Sequence, residues 1–477
     1  MRSRMLLAAV LATGLCAPFA RADVKPHALF SDGMVLQRDV KTRVWGKAEP
    51  GEKVSVVLSE KSGKGITPDP VEADKDGNWS IELSSSPAGG PYTMTIKGKN
   101  TIELKDVYVG DVWVGSGQSN MEMSLNGCAD ADKHKAASKN PKIRLFTVPR
   151  KIADNPQQDI NGKWVECGPD TVGGFSGVAY FFGRDLQKAL DIPIGLIHTS
   201  WGGTIAEAWT PKEALEANPD LKKLVPAMIK MEGNNANQGT VLYNAMIAPL
   251  ISYPIKGAIW YQGESNAGRA AEYETLFPTM IQSWRKAWKQ DDMPFFFVQL
   301  APWQKIEQDP TDPAWARLRE SQRLTLKLPK TGMAVITDVG DEKDIHPKRK
   351  EPVGARLALA ARAIAYGQKI DYSGPSYENV KFVDGKAILS FQNLAGGLEV
   401  KGGELTGFTI AGDDKIFCNA DAMIQGDTIV VSSAKVVKPA AVRFGWANYP
   451  VVNLWNKAGL PASPFRTDDW AMETKKK

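Results

Sequence analysis

Four short stretches carry more glycine and polar residues than packing requires, and each follows an apolar run. They are Gly117-Gln118-Ser119-Asn120; "HTSWGGT", with Gly202 and Gly203; "WYQGESN", with Gln262, Gly263, Glu264, Ser265 and Asn266; and "DVGDEKDIHP", with Asp338, Asp341, Asp344 and His346. A serine hydroxyl becomes a useful nucleophile when a neighbouring base takes its proton, and near neutral pH imidazole suits that task best. The chain holds 4 histidines. His27 lies in a strand-rich N-terminal stretch and His134 among lysines, so both read as ordinary. His198 closes a strand and fits either a core or a site. His346, with an acid two residues before it and a proline after it, is the candidate base for Ser119. A carboxylate beside His346 would fix its tautomer and stabilise the imidazolium; Asp344 is the first choice, with Asp338 and Glu342 as rivals.

The same stretches offer groups for a developing oxyanion. Gly115 and Gly117 permit close backbone approach over the Ser119 amide. Gly202, or its neighbour Gly203, adds an unobstructed N–H, and Gln262 or Asn266 a side-chain donor. One such donor contributes roughly 3 to 4 kcal/mol in the transition state. Gln118, Asn120, Trp201, Glu264 and Asn266 are the candidate substrate contacts. Met121 stands where a Gly-X-Ser-X-Gly elbow has its last glycine, which counts against an α/β-hydrolase. A competing chemistry pairs Glu264 with Asp341, Glu342 or Asp344 as the two carboxylates of a glycosidase. Trp201, Trp209, Trp260, Tyr261 and Trp303 cluster around these stretches and suit either sugar rings or core packing.

Strands that could bring the four stretches to one edge are expected over 107–114, 143–148, 194–197, 256–260, 294–300 and 333–337. Between them "SGVAYFFGRDLQKAL", "EYETLFPTMIQSWRKAW" and "PVGARLALAARAIAYG" repeat apolar residues at helical spacing, with Ser176 as an N-cap. Strand-helix alternation predicts an α/β domain over 107–371 with a largely parallel sheet, whose chemistry sits at the carboxyl ends of the strands. On either side, short alternating segments split by Gly, Pro and Asp-Gly turns predict β-sandwich-like modules over 23–106 and 372–477.

Residues 1–22 read as a cleavable signal peptide: Arg2 and Arg4, an apolar run, then Ala20-Arg21-Ala22. The expected product is secreted or periplasmic. Without that leader the net charge falls from +5 to +2, which argues against nucleic acid as a partner. No later segment approaches the roughly 18 unbroken apolar residues of a membrane span. Cys128, Cys167 and Cys418 allow at most one intramolecular disulfide, and no Cys/His spacing suggests a metal.

Taken in order, "LFSDGMVLQRD", "VWGKAEPGEKV", "VWVGSGQSNMEM", "PIGLIHTSWGGTIAEAW", "YNAMIAPL", "GAIWYQGESNAG", "DIHPKRKEPVGARLA" and "GLPASPFRTDDW" resemble the sialate O-acetylesterase family of the Ser-Gly-Asn-His hydrolases over nearly the whole chain. The resemblance implies a flavodoxin-like three-layer α/β/α hydrolase domain between β modules. It implies removal of acetyl groups from sugar hydroxyls without metal or organic cofactor, O-acetylated sialic acids first. Acetylated xylan or another plant glycan is the alternative substrate, and an inactive glycan-binding protein the alternative function. Carried onto this chain, Ser119 is the nucleophile, His346 the base and acid, and the Ser119 amide, Gly202 and Gln262 the oxyanion hole. Two positions depart from the wider group: Lys343 stands where its orienting Asp falls, three before the His, and Ser265 where its Asn donor falls. A serine-histidine pair without a strong third member therefore stays open. Arg269, Arg317 and Arg319 are candidates to read a sialate carboxylate by their proximity in sequence to the motifs alone.

Overall fold

Apolar runs buried on both faces build the centre of the molecule. The computed structural model describes residues 23–60, 62–224 and 235–471; the expected leader lies outside them. Its central sheet places Trp164–Cys167, Asn140–Thr147, Ile194–Ser200, Thr101–Gly117, Gly257–Tyr261, Phe295–Val298 and Thr331–Ala334 side by side. All are parallel except the first, an antiparallel edge strand that sequence periodicity did not reveal. Numbered in chain order, the parallel strands lie 2-3-1-4-5-6, one strand more beside the first than the flavodoxin order 2-1-3-4-5. The chain departs to one side of Thr101–Gly117 and then to the other, so the crevice at that strand's carboxyl end is the switch point where ligands bind in such sheets.

Helices cover both faces. Gly177–Leu190 and Glu351–Ile364 pack together on one side, where Trp113 meets Phe182 and Phe296. Ala270–Trp288 and Ala314–Leu324 pack on the other, where Phe277 meets Phe295 and Phe297 and Trp284 meets Phe295. Successive phenylalanines of one strand thus serve opposite layers, as the two-residue strand period requires. Ser176 caps the first helix, its hydroxyl accepting from the Ala179 N–H at 3.1 Å.

The N-terminal β module has no linker to the α/β domain. The boundary expected at 106/107 falls inside the 17-residue strand Thr101–Gly117. Its first half pairs with Gly89–Lys97 and Val35–Gln37, and from Asp111 onward it pairs with the central strands. One buried core accordingly runs from Val24 to Ala361. The C-terminal module keeps its own core, centred on Phe408, Phe444 and Phe465 between two four-stranded sheets. Arg319, fully buried, ties it to the centre: its guanidinium donates to the carbonyls of Leu300 and Ala301 and to those of Ala447 and Asn448. Cys128, Cys167 and Cys418 are free thiols, and burial pushes the first two up to about 11 and about 12.

Candidate active site

Strand register brings three of the four stretches together. Gly117 lies between Ser200 and Tyr261, so the strands end side by side. The loops are then stitched: the Gln118 N–H donates to Tyr261 O at 3.0 Å, and the Trp201 N–H to Gly117 O at 3.1 Å. Gly117 has φ +138, and a Cβ there would stand 2.2 Å from Tyr261 O. Its role is to let the strand ends close. Gly115 packs against Ala179 and Ile259. Neither glycine is clearance for a substrate oxygen, contrary to the expectation above.

The fourth stretch leaves a more distant strand and returns to the same edge. There His346 Nε2 stands 2.8 Å from Ser119 Oγ, and both residues are partly exposed. Among the candidate acids, Asp344 faces His346: its Oδ1 accepts the His346 N–H at 2.8 Å and lies 3.5 Å from Nδ1. That ring contact is long, and the Asp344 side chain is 46% exposed, so it orients the imidazole weakly. The rivals are engaged elsewhere. Asp338 makes a two-pronged pair with Arg356, and Glu342 accepts from the Ile306 N–H. The four loops converge, but among the described residues no second carboxylate pairs with Glu264 for glycosidase chemistry. Glu264 Oε1 instead accepts from Asn120 at 2.6 Å, and its Oε2 is buried.

Gly202 lies beside the nucleophile, with a Cβ position 3.2 Å from the Ser119 Cβ. Its N–H is occupied, however, donating at 2.8 Å to Glu122 Oε2. The other oxygen of Glu122 meets Arg150, whose guanidinium lies over the Trp201 ring at 5.8 Å. The Ser119 N–H has no partner among the described residues. A carboxylate oxygen thus rests against one of the two amides flanking the nucleophile. Glu122 sits inside the quoted motif, and Arg150 after a strand, but nothing in their spacing announced the contact.

Gln262 is not available as an oxyanion donor. It is fully buried, its amide donates to Thr204 O at 3.1 Å and Asn266 Oδ1 at 2.6 Å, and Tyr273 donates to its carbonyl at 3.0 Å. Asn266 is equally committed, donating to Glu207 at 2.9 Å and accepting from the Ala206 N–H at 3.0 Å. Gln118 accepts from the Gly263 and Ser265 N–H groups. Asn120, 1% exposed, donates to Glu264 and to Ile345 O. Of the five candidate substrate contacts only Trp201 stays at the rim, and the other four brace the loops. The arginines are also spent: Arg269 pairs with Glu207 and Glu272, Arg317 with Asp312, and Arg319 with backbone carbonyls. His198 is a core residue. Burial drives its imidazole down to about 4, and it bonds Ser200 Oγ at 2.5 Å. A crevice of about 910 Å³ opens beside the third loop, lined among others by Ser265, Arg269, Gln304, Trp315 and Asn448.

A partly exposed serine and histidine in hydrogen-bond contact, at the switch point of a parallel α/β sheet, define the class: a carboxylic-ester hydrolase. Residues 109–363 match the family described as carbohydrate esterase, sialic acid-specific acetylesterase, and the chain belongs to that family. It is 30% identical to the sialate O-acetylesterases of Homo sapiens and Pongo abelii, covering 91% of each partner and 91% of itself. The Mus musculus enzyme is 31% identical, over 75% of this chain and 76% of that one. A solved carbohydrate acetylesterase from Xanthomonas citri is 41% identical, with a TM-score of 0.86 over 94% of this chain and all of that one. The resemblance read from the motifs is therefore correct at the level of family.

Proposed function

We propose that the chain hydrolyses acetyl esters on sugar hydroxyls, O-acetylated sialic acids first, through an acetyl-Ser119 intermediate. The observation that carries this is the 2.8 Å contact of Ser119 Oγ with His346 Nε2 in a member of this esterase family. His346 takes the hydroxyl proton as Oγ attacks the acetyl carbonyl carbon. The tetrahedral oxyanion lies against the N–H groups of Ser119 and Gly202, the latter once Glu122 has swung away. On collapse the sugar oxygen leaves with the proton from the His346 imidazolium. A water then gives a proton to His346 and attacks the acetyl group, and on collapse the imidazolium returns that proton to Ser119 Oγ, releasing acetate and the free serine. Asp344 steadies the imidazole weakly, so the centre works largely as a pair.

The neighbouring crevice of about 910 Å³ is in the size range of ligand clefts and would hold sugar units beyond the acetylated one. The expected leader over 1–22 would deliver the enzyme outside the cytoplasm, where such glycans occur. Acetate release from O-acetylated sialic acid and from acetylated xylan tests the substrate. Release from sialic acid at the higher kcat/KM is expected, and release from xylan alone would assign the enzyme to plant glycans. Sugar binding without acetate release from either would make the chain a binding protein.

A further inference from the structure

Lys350 is a buried cation that the hydrolysis just described does not use. It is 1% exposed, and no carboxylate lies within ion-pairing distance of its ammonium among the described residues. Its Nζ donates to Asn120 Oδ1 and lies 5.2 Å from the centre of the Tyr261 ring. Burying an ammonium without a direct counter-ion is costly, and an apolar side chain would fill the space with no such penalty. The cost is tolerable if the charge does something there.

What the charge touches is the residue next to the nucleophile. The Asn120 amide accepts from Lys350 and donates to Glu264 Oε1 at 2.6 Å and to the Ile345 carbonyl at 3.0 Å. Hydrogen bonds in such a chain polarise one another, so a cation on Oδ1 strengthens both N–H donations. Ile345 precedes His346, whose ring, among the described residues, has behind it only the long contact to half-exposed Asp344. We infer that Lys350 is a positioning residue: through Asn120 it holds the Ile345 carbonyl, and so keeps the His346 ring in hydrogen-bond reach of Ser119.

The inference rests on the reading that Ser119 and His346 carry the reaction. Burial pushes the Lys350 ammonium down to about 8, with Cys128, Glu264 and Asp344 the titratable groups that oppose this, beside Asn120 and the Tyr261 ring. The clamp should therefore fail as pH rises through that value, when the charge on Oδ1 is lost.

A fluorophosphonate probe tests this without knowledge of the natural substrate. Ser119 Oγ bonds to phosphorus, fluoride leaves, and the hydroxyl proton passes to His346, so the labelling rate reports how well the pair is set. In the full chain, with the labelled residue identified by mass spectrometry, the wild type should react at Ser119 and slow above about pH 8. Lys350→Met should label, and hydrolyse an aryl acetate, about 10- to 100-fold more slowly, with KM within about twofold and no alkaline decline. Glu264→Gln keeps an acceptor for Asn120 but removes the charge that favours the ammonium, so the decline should move to lower pH. Wild-type labelling and an unchanged decline in folded Lys350→Met overturn the inference alone. Should that variant not fold, an unmoved decline in Glu264→Gln does the same. A wild type that never labels at Ser119 overturns the catalytic reading, and the inference falls with it.

Discussion

Replacing Glu122 with alanine should speed the hydrolysis of a small aryl acetate, although the residue lies beside the nucleophile. Its Oε2 accepts the Gly202 N–H at 2.8 Å, the amide given to the oxyanion in the proposed mechanism, and its other oxygen is held by Arg150. A hydrogen bond to a charged acceptor is worth about 1.5 to 3 kcal/mol, and each turnover must break this one. Part of that cost returns, because the displaced carboxylate keeps Arg150 and gains water; the Glu122 side chain is already 20% exposed. A net cost near 1 kcal/mol corresponds to about a fivefold gain in kcat/KM for Glu122→Ala. Glu122→Gln still offers an acceptor but a neutral one, so its gain should be smaller, about twofold. Initial rates for purified, folded variants give the comparison directly. A fall in kcat/KM for both variants would show that the carboxylate assists the reaction and that Gly202 is not an oxyanion donor.

Two further outcomes concern the fold. Arg319→Met leaves four carbonyls without their donor, each worth about 1 to 3 kcal/mol when buried, so denaturant unfolding should show a loss of several kcal/mol and protease should cut near Ala447; wild-type stability would mean that the C-terminal module docks by apolar contact alone. Burial drives His198 and His27 down to about 4, so the unfolded chain binds more protons than the folded one between that pH and the usual imidazole value of about 6.5. Stability contributed by each is present above the unfolded pKa and falls with pH, by roughly 2 kcal/mol between pH 7 and pH 5. His198→Asn should remove its share of that slope in urea titrations at the two pH values, and an unchanged slope would refute the assignment.

The sequence made the strand-helix alternation, the four loops and the Ser119/His346 pairing legible, because each is written locally: apolar runs, a glycine-rich strand end, a scarce histidine. What it hid depends on partners far along the chain. Gln262 and Asn266 read as donors because amides after a strand look free; only Tyr273, Thr204 and Glu207 folding over them make them bracing. The composition change near 106/107 marks where pairing partners change, and one strand serves both sets of partners. Nothing in the sequence singles out Glu122 or Lys350, because a lone charge in a motif normally points to water. Here one folds back onto Gly202 and the other is buried under Asn120.

In the proposed reaction the Ser119 hydroxyl, activated by His346, attacks the acetyl ester. Acetate release from an O-acetylated sugar, compared between wild type and a Ser119→Ala variant of matched unfolding temperature, tests it most directly. Steady release by the wild type and a loss of about a thousandfold or more in the variant are expected. A folded Ser119→Ala protein that releases acetate at the wild-type rate would contradict it.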